Sequence, residues 1–303
     1  MMSKLKAFMR LTRIEHSIML VLAVVAAELI SGHITVGIPF VASLVTPILV
    51  SMGSFAINDY FDAETDRANG FKNRPIVSGA FSKKEAFNWA VALLAVGALV
   101  SLLINGYAFV IAVVFAALAF LYSYRLKDTL LVGNIYIAFS MVIPFIYGDF
   151  VVSNSFNMVI ILVSITIFLS GLAREIHGMI RDKDGDSKVR KSRNLLRHIS
   201  PMAAGIISLV LYLEAIFVSL YMFFYYPVLY HGNPPFYHNI VYLVLIVIAD
   251  LILFYVAFGE IMVKSDKRQF HNLSRNLSLA AMGIALIAFL AAALFIVPIV
   301  FGI

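Results

Sequence analysis

Long apolar stretches recur along the whole chain, and they constrain its fold more than any other feature. Apolar residues make up 62% of the 303 residues, charged residues make up 13%, and the mean hydropathy is +0.94. A bilayer offers the backbone no hydrogen-bonding partner, so a chain that crosses it through stretches of about 20 apolar residues is helical there. The sequence therefore predicts an all-α, polytopic membrane protein and argues against a hidden soluble domain.

We predict nine membrane-spanning helices that form a single domain over residues 1–303, around a central cavity open to the cytoplasmic side. Connections with few charges alternate with longer polar segments, so the ends of the spans are visible in the sequence. The predicted spans lie at about 15–32, 38–61, 85–104, 107–125, 130–152, 157–180, 201–225, 238–263 and 276–300.

Basic residues are distributed unevenly among the connections. All 23 Lys and Arg lie in segments 1–14, 62–84, 125–129, 181–200 and 264–275 or in the last turns of a flanking span. An excess of Lys and Arg marks cytoplasmic segments, so we predict a cytoplasmic N-terminus and an external C-terminus. Topology and anionic membrane lipids explain the net charge of +6, and no nucleic-acid partner is predicted.

A first aspartate motif (Asn58, Asp59, Asp62 and Asp66) begins where the apolar run 47–57 ends. At about 100° per residue, a helix places Asn58, Asp62 and Asp66 on one face. Carboxylates crowded beside lipid repel one another unless cations share the site. Mg²⁺ prefers oxygen ligands and binds together with substrate phosphates, so the motif predicts an Mg²⁺ site, with a solvated acidic loop as the alternative.

A second aspartate motif (Asp182 and Asp186) follows the sixth predicted span. The two residues are four apart and share a helical face, with Glu175 near that face and closer to the membrane. Asp184 points away from this face, so we expect it to be solvated. Acidic helix ends are common, but two aspartate sets facing each other across a basic cavity predict a site for Mg²⁺ and a diphosphate.

Basic residues able to bind phosphate accompany these motifs. Arg67 and Arg74 follow the first aspartate motif, where Arg74-Pro75 predicts an extended turn, and Lys127 follows the fourth span. The alternative is that such residues only anchor the protein to anionic lipid. We assign that simpler role to Lys4, Lys6, Lys83 and Lys84.

Cysteine and histidine give no metal-binding pattern. The chain has no cysteine, which excludes disulfides and thiolate sites. His16, His177 and His198 lack a recurrent ligand spacing, so the sequence predicts no histidine metal site.

The three polar motifs resemble those of the UbiA superfamily of intramembrane prenyltransferases. N-D-x-x-D-x-x-x-D matches residues 58–66, Y-S/T-x-x-L-K matches residues 122–127, and D-x-x-x-D matches residues 182–186. The resemblance covers essentially the whole chain. It implies an Mg²⁺-dependent enzyme that transfers a polyprenyl group from its diphosphate to a lipophilic acceptor. The implied motif loops on the cytoplasmic face are 58–79, 122–128 and 174–198.

The resemblance also implies roles for individual residues. Implied catalytic residues are Asp62, Asp66, Asp182, Asp186 and Lys127. Implied metal ligands are Asp59, Asp62, Asp66, Asp182 and Asp186. Implied substrate-binding residues are Asn58, Arg67, Arg74, Tyr122, Arg174 and Glu175.

Within the superfamily, the chain is most similar to the archaeal branch that makes digeranylgeranylglyceryl phosphate, an ether-lipid precursor. The similarity rests on residues 58–62, 74–79 and 174–176, whereas Gly178 and Met179 replace a Lys-Asp pair usual in that branch. The expected donor is geranylgeranyl diphosphate and the expected acceptor is geranylgeranylglyceryl phosphate. The alternative acceptor is an aromatic acid of quinone biosynthesis.

Two other functional classes fit the sequence less well. A secondary transporter places its charges near the bilayer midplane, whereas here they crowd at one predicted face. A CDP-alcohol phosphotransferase requires D-G followed by A-R after its first acids, and residues 66–69 do not supply that pattern.

Overall fold

A computed structural model of the chain describes residues 3–32, 34–129, 131–189, 198–225, 234–262, 267–294 and 300–301. Its side chains are described except at 181–189, 267–268 and 300–301. The elements, in chain order, are α1 (Lys4–Thr12), α2 (Ser17–Ser31), β1 (Thr35–Val36), α3 (Ile38–Ala68), α4 (Lys83–Val100), α5 (Gly106–Tyr124), α6 (Val132–Val152), α7 (Met158–Val189), α8 (Pro201–Phe224), α9 (Ile240–Met262), α10 (Lys267–Leu294) and β2 (Val300–Phe301).

Within the described ranges, nine helical segments are long and apolar enough to cross a membrane: α2 together with the 3₁₀ turn Ile14–His16 before it, and α3 to α10. This confirms the predicted number of spans. The largest difference is in the last span, which was predicted at 276–300 but lies at Gln269–Leu294. The sequence also did not predict α1, a short helix that buries Ala7 and Leu11 on one face.

Both aspartate motifs lie on helices that extend beyond their apolar stretches. Helix α3 continues to Ala68, and the chain turns only after it, at Gly70, whose φ is 72°. Helix α7 continues to Val189. The predicted motif loops 58–79 and 174–198 are therefore largely helical at the aspartates. A continuous helix gives each motif a fixed spacing of one turn between its acids.

The chain divides into two compact units. The first unit comprises residues 1–24, 35–127 and 300–303, and its membrane helices are the start of α2 and all of α3, α4 and α5. Helices α3 and α4 pack very closely: a methyl group placed on Gly53 would lie 2.7 Å from Leu94 Cγ and 2.9 Å from its backbone nitrogen. A parallel pairing of β1 with β2 also belongs to this unit.

The second unit comprises residues 25–34 and 128–299. In it α7 packs against α6, α8 and α10, and α9 packs against α8 and α10. Polar side chains join these helices: Ser208 Oγ donates to the Ala173 carbonyl oxygen at 3.0 Å, and Ser219 Oγ donates to Asp250 Oδ2 at 2.7 Å. Hydrogen bonds of this kind hold buried polar groups inside a membrane bundle and fix the helices in one register.

Candidate active site

The predicted helical face of the first aspartate motif is present in α3. Asn58 Nδ2 donates to Asp62 Oδ2 at 2.9 Å, one turn along the helix. Lys127 Nζ donates to the other carboxylate oxygen, Asp62 Oδ1, at 2.7 Å. The side chains of Lys127 and Asp62 are only 10% and 13% exposed, so this ion pair is shielded from water.

Aromatic packing between α3 and α5 explains why Lys127 reaches Asp62. The ring of Phe61 lies 5.5 Å from that of Phe120 and 5.6 Å from that of Tyr124, both in α5. Helix α5 ends at Tyr124, and a short 3₁₀ turn that contains Lys127 follows it. The rings therefore bring this turn to the level of the aspartates, and the edge-to-face pair of Phe61 with Phe120 stabilises the contact.

Asp59 is the most buried acid of the first aspartate motif, at 2% exposure. Its Oδ1 accepts hydrogen bonds from Arg13 Nη2 at 2.8 Å and from Arg74 Nη1 at 3.2 Å. Arg74 Nε also lies 3.3 Å from Asp66 Oδ2, so one guanidinium joins two aspartates of α3. A buried carboxylate between two guanidinium groups is a strong, charge-assisted arrangement.

The loop after α3 places Arg74 by burying its neighbours. Ile76 and Phe81 belong to the apolar core of the first unit, together with Ala63 of α3. The predicted extended turn is wrong in detail, since the Ser78 amide donates to the Arg74 carbonyl oxygen at 2.9 Å and closes a compact turn. With the apolar side chains of this loop buried, the Arg74 side chain lies along α3 beside Asp59 and Asp66.

Arg13 is a site residue that the sequence did not reveal. It ends α1 in the left-handed conformation, with φ 45°, which is unusual for a side chain other than glycine. Its guanidinium lies 4.8 Å from the centre of the Phe55 ring, in addition to its contact with Asp59. The one available signal was its position as the last basic residue before the first span, and such a position does not distinguish a site residue from a lipid anchor.

The first aspartate motif thus presents oxygen ligands to a cation. Asp59 Oδ2 is buried and has no hydrogen-bond partner among the described residues. Carboxylate oxygens at one-turn spacing form the donor set that Mg²⁺ prefers. The residues present fit the predicted ion.

The other predicted residues have different surroundings. Arg67 is exposed and makes no ion pair within the described part of the chain, while Tyr122 is half-buried. On α7, Arg174 Nη1 lies 3.6 Å from Glu175 Oε1, and both side chains are about one-quarter exposed. The backbone of the second aspartate motif is helical, but its side chains lie outside the described residues.

Comparison with known proteins identifies the family. The family model described as the UbiA prenyltransferase family matches residues 18–279. The chain belongs to this family. It is 34% identical over 296 residues to the digeranylgeranylglyceryl phosphate synthase of Archaeoglobus fulgidus, covering 95% of this chain and 96% of the relative. It is 29% identical over 287 residues to the protein of that name from Methanosphaera stadtmanae, covering 95% and 99%.

Solved structures have the same UbiA fold. One, described as giving structural and mechanistic insights into digeranylgeranylglyceryl phosphate synthase in membranes, is 26% identical with a TM-score of 0.78 over 97% of this chain and all of that chain. Another is a UbiA homologue from Archaeoglobus fulgidus bound to GPP and Mg²⁺. It is 19% identical, with a TM-score of 0.68, and the match covers 95% of this chain and 98% of that chain. The chain is therefore an integral membrane protein with the helical UbiA fold.

Proposed function

We propose that this protein transfers a geranylgeranyl group from geranylgeranyl diphosphate to geranylgeranylglyceryl phosphate, in a reaction that requires Mg²⁺. The main observation is the first aspartate motif, where shielded carboxylates lie within hydrogen-bonding distance of basic side chains. The relatives named digeranylgeranylglyceryl phosphate synthase support the choice of acceptor.

Aspartates of both motifs would hold Mg²⁺: Asp59, Asp62, Asp66, Asp182 and Asp186. Bound Mg²⁺ supplies positive charge to the diphosphate as its bond to the allylic carbon breaks. For Asp59 the support is its buried Oδ2, which makes no hydrogen bond to a described residue. For the second aspartate motif the support is the sequence match alone.

Lys127 and Arg74 would transfer their hydrogen bonds from the aspartates to phosphate oxygens. Both already lie on the motif, at 2.7 Å from Asp62 and 3.2 Å from Asp59. Lys127 offers a compact charge with three donors, and Arg74 offers a planar fork that matches phosphate oxygens. Stabilisation of the leaving charge by such fixed donors is a large part of catalysis in a shielded site.

We expect Lys127→Met to lower kcat/KM for the donor about 10- to 150-fold. A hydrogen bond from a charged group is worth about 1.5–3 kcal/mol, and each 1.4 kcal/mol changes the rate about tenfold. The matched control is Lys83→Met, which removes the exposed lysine that donates to Glu64 at 3.1 Å. Donor kinetics of the two variants in detergent test this, and wild-type kinetics for Lys127→Met would leave the residue only a structural partner of Asp62.

The charge of the segment after the second aspartate motif supports an acceptor that carries its own phosphate. Residues 181–197 include seven Lys and Arg. A phosphate on the acceptor gives part of this charge a partner, whereas an aromatic monocarboxylate needs only one or two cations. The acceptor hydroxyl must also lose a proton as the ether bond forms, and the proposed base is Glu175 or Asp186.

We expect the enzyme to prefer geranylgeranylglyceryl phosphate when both acceptors compete. Purified protein receives Mg²⁺, labelled geranylgeranyl diphosphate, geranylgeranylglyceryl phosphate and an aromatic acid in equal amounts. The expected labelled product is the doubly prenylated glyceryl phosphate. Prenylation of the aromatic acid alone would contradict the proposed acceptor and would indicate an enzyme of quinone biosynthesis.

The orientation in the membrane is part of the proposal. The distribution of Lys and Arg supports a cytoplasmic N-terminus, an external C-terminus and aspartate motifs that face the cytoplasm. We further propose that residues 1–303 act as one functional domain.

A further inference from the structure

Three ionisable side chains meet in the second unit. They are His177 on α7, Glu260 on α9 and His271 on α10. His177 Nε2 lies 3.0 Å from Glu260 Oε2, and His271 Nδ1 lies 3.1 Å from the same oxygen. The three ligand atoms all lie within 4.8 Å of one another. We call these residues the His–Glu–His cluster.

The His–Glu–His cluster is almost completely buried. The side chains of His177, Glu260 and His271 are 6%, 5% and 10% exposed. A carboxylate removed from water in a membrane protein is unfavourable unless a positive charge or good hydrogen bonds compensate. Within the described residues, Glu260 Oε2 and His271 Nδ1 make no hydrogen bond of acceptable geometry, although they lie only 3.1 Å apart. The distances bring the atoms together, but the ring does not aim an N–H at the oxygen.

Close packing between α9 and α10 positions two of the ligands. Glu260 lies two residues before the end of α9, and His271 lies in the second turn of α10. Gly259 makes the approach possible, because a methyl group at that position would overlap the ring of Phe270. The Phe270 ring of α10 covers Gly259 of α9. The next residue on each helix, Glu260 on α9 and His271 on α10, is therefore held beside the other.

The spacing of the ligand atoms fits a bound transition-metal ion. A four-coordinate Zn²⁺ with bonds of about 2.1 Å holds neighbouring ligand atoms about 3.4 Å apart. The two nitrogen–oxygen separations, 3.0 and 3.1 Å, are close to this value, and all three ligand atoms lie within 4.8 Å of one another. Two imidazoles and one carboxylate form a common zinc ligand set that leaves one position for water. Mg²⁺ is a poor candidate here because it prefers oxygen ligands.

We propose that His177, Glu260 and His271 bind one Zn²⁺ ion that ties α7, α9 and α10 together. Asp182 lies only five residues after His177 on the same continuous helix. A metal at His177 therefore fixes α7 just before it presents the second aspartate motif. This metal positions a helix, and it is distinct from the Mg²⁺ proposed for the diphosphate.

This proposal differs from the sequence-based prediction, in which the chain has no histidine metal site. That prediction relied on ligand spacing along the chain, and His177 and His271 are 94 residues apart. The ligands come from three separate helices, so only the packing of the second unit brings them together.

Metal content and spectroscopy of untagged protein test the proposal without relying on turnover. The protein is purified in detergent, treated with a chelator, and given Zn²⁺ or Mg²⁺ alone. We expect it to bind about one Zn²⁺ per chain and to unfold at a higher temperature with Zn²⁺ than with Mg²⁺. Replacement by Co²⁺ should give the visible absorption of a Co²⁺ complex with nitrogen and oxygen ligands.

The variants Glu260→Gln and His271→Gln keep most of the side-chain volume and should weaken Zn²⁺ binding by more than about 100-fold, because changes even outside the ligand set weaken binding by 10- to 100-fold. The matched control is His198→Ala, which removes an exposed histidine of the same unit and should leave binding unchanged. If wild-type protein binds no Zn²⁺, or if folded Glu260→Gln and His271→Gln bind it as well as wild type, the cluster is an ordinary polar contact and the proposal is wrong. The wild-type titration decides the matter even if a variant fails to fold.

Discussion

Asp62→Asn is expected to reduce prenyl transfer by at least about 1,000-fold while the protein stays folded. Asp62 accepts hydrogen bonds from both Asn58 and Lys127. An asparagine has the same shape but lacks the charge that pairs with Lys127 and that we propose binds Mg²⁺. Removal of one fixed group that stabilises developing charge commonly lowers turnover by about 100- to 1,000-fold, and the loss of a metal ligand adds to this effect.

The matched control for this substitution is Glu64→Gln. Glu64 lies two residues further along α3, is well exposed, and pairs with Lys83 rather than with a site residue. The substitution Glu64→Gln removes the same charge from the same helix but touches no site residue in the described part of the chain. Turnover of this variant should therefore stay near wild type. Turnover is measured with saturating donor over a range of Mg²⁺ concentrations. Near-normal activity of Asp62→Asn at low Mg²⁺ would show that the first aspartate motif does not bind the metal.

Asp182→Asn is expected to abolish turnover to a similar degree, and Asp184→Asn is not. Helix α7 runs unbroken to Val189, so Asp182 and Asp186 are one turn apart and Asp184 lies on the opposite side of the helix. If the second aspartate motif binds Mg²⁺ and the diphosphate, only the face shared by Asp182 and Asp186 matters. The two substitutions remove the same charge from the same basic segment, so Asp184→Asn is a matched control for Asp182→Asn.

The comparison separates a specific role from a general electrostatic one. We would measure turnover and the Mg²⁺ concentration that gives half of the maximal rate for both variants. An increase in that concentration for Asp182→Asn alone supports a metal ligand. Equal, small losses of turnover in both variants would instead mean that the two aspartates only offset the positive charge of the surrounding Lys and Arg.

The membrane spans could be predicted from the sequence because they depend on local composition. A stretch of about 20 apolar residues is a span whatever its neighbours are, and nine such helices are found in the described ranges. The shared face of Asn58 and Asp62 was likewise predictable, because it follows from helical geometry within one turn. The predicted span ended at residue 61 and its helical face was extended to Asp66, whereas α3 continues to Ala68. The exact end was not predictable, since polar residues are compatible with either a helix or a loop.

Contacts between distant parts of the chain could not be predicted in this way. The pairing of Arg13 with Asp59 joins residues 46 positions apart and depends on the left-handed turn after α1. The position of Arg74 depends on the burial of Ile76 and Phe81 rather than on the residue itself. The His–Glu–His cluster depends on the packing of three helices. Each is set by tertiary structure, about which local periodicity carries no information.

The contact between Arg13 and Asp59 reaches beyond the segment that the family model matches. The family model matches from residue 18 onward, yet one of the two guanidinium groups on the most buried aspartate comes from residue 13. A chain shortened to the family segment would keep every recognisable motif and still leave Asp59 with only Arg74. The contacts of the most buried aspartate therefore extend upstream of the matched segment, and α1 belongs to the same compact unit as the first aspartate motif.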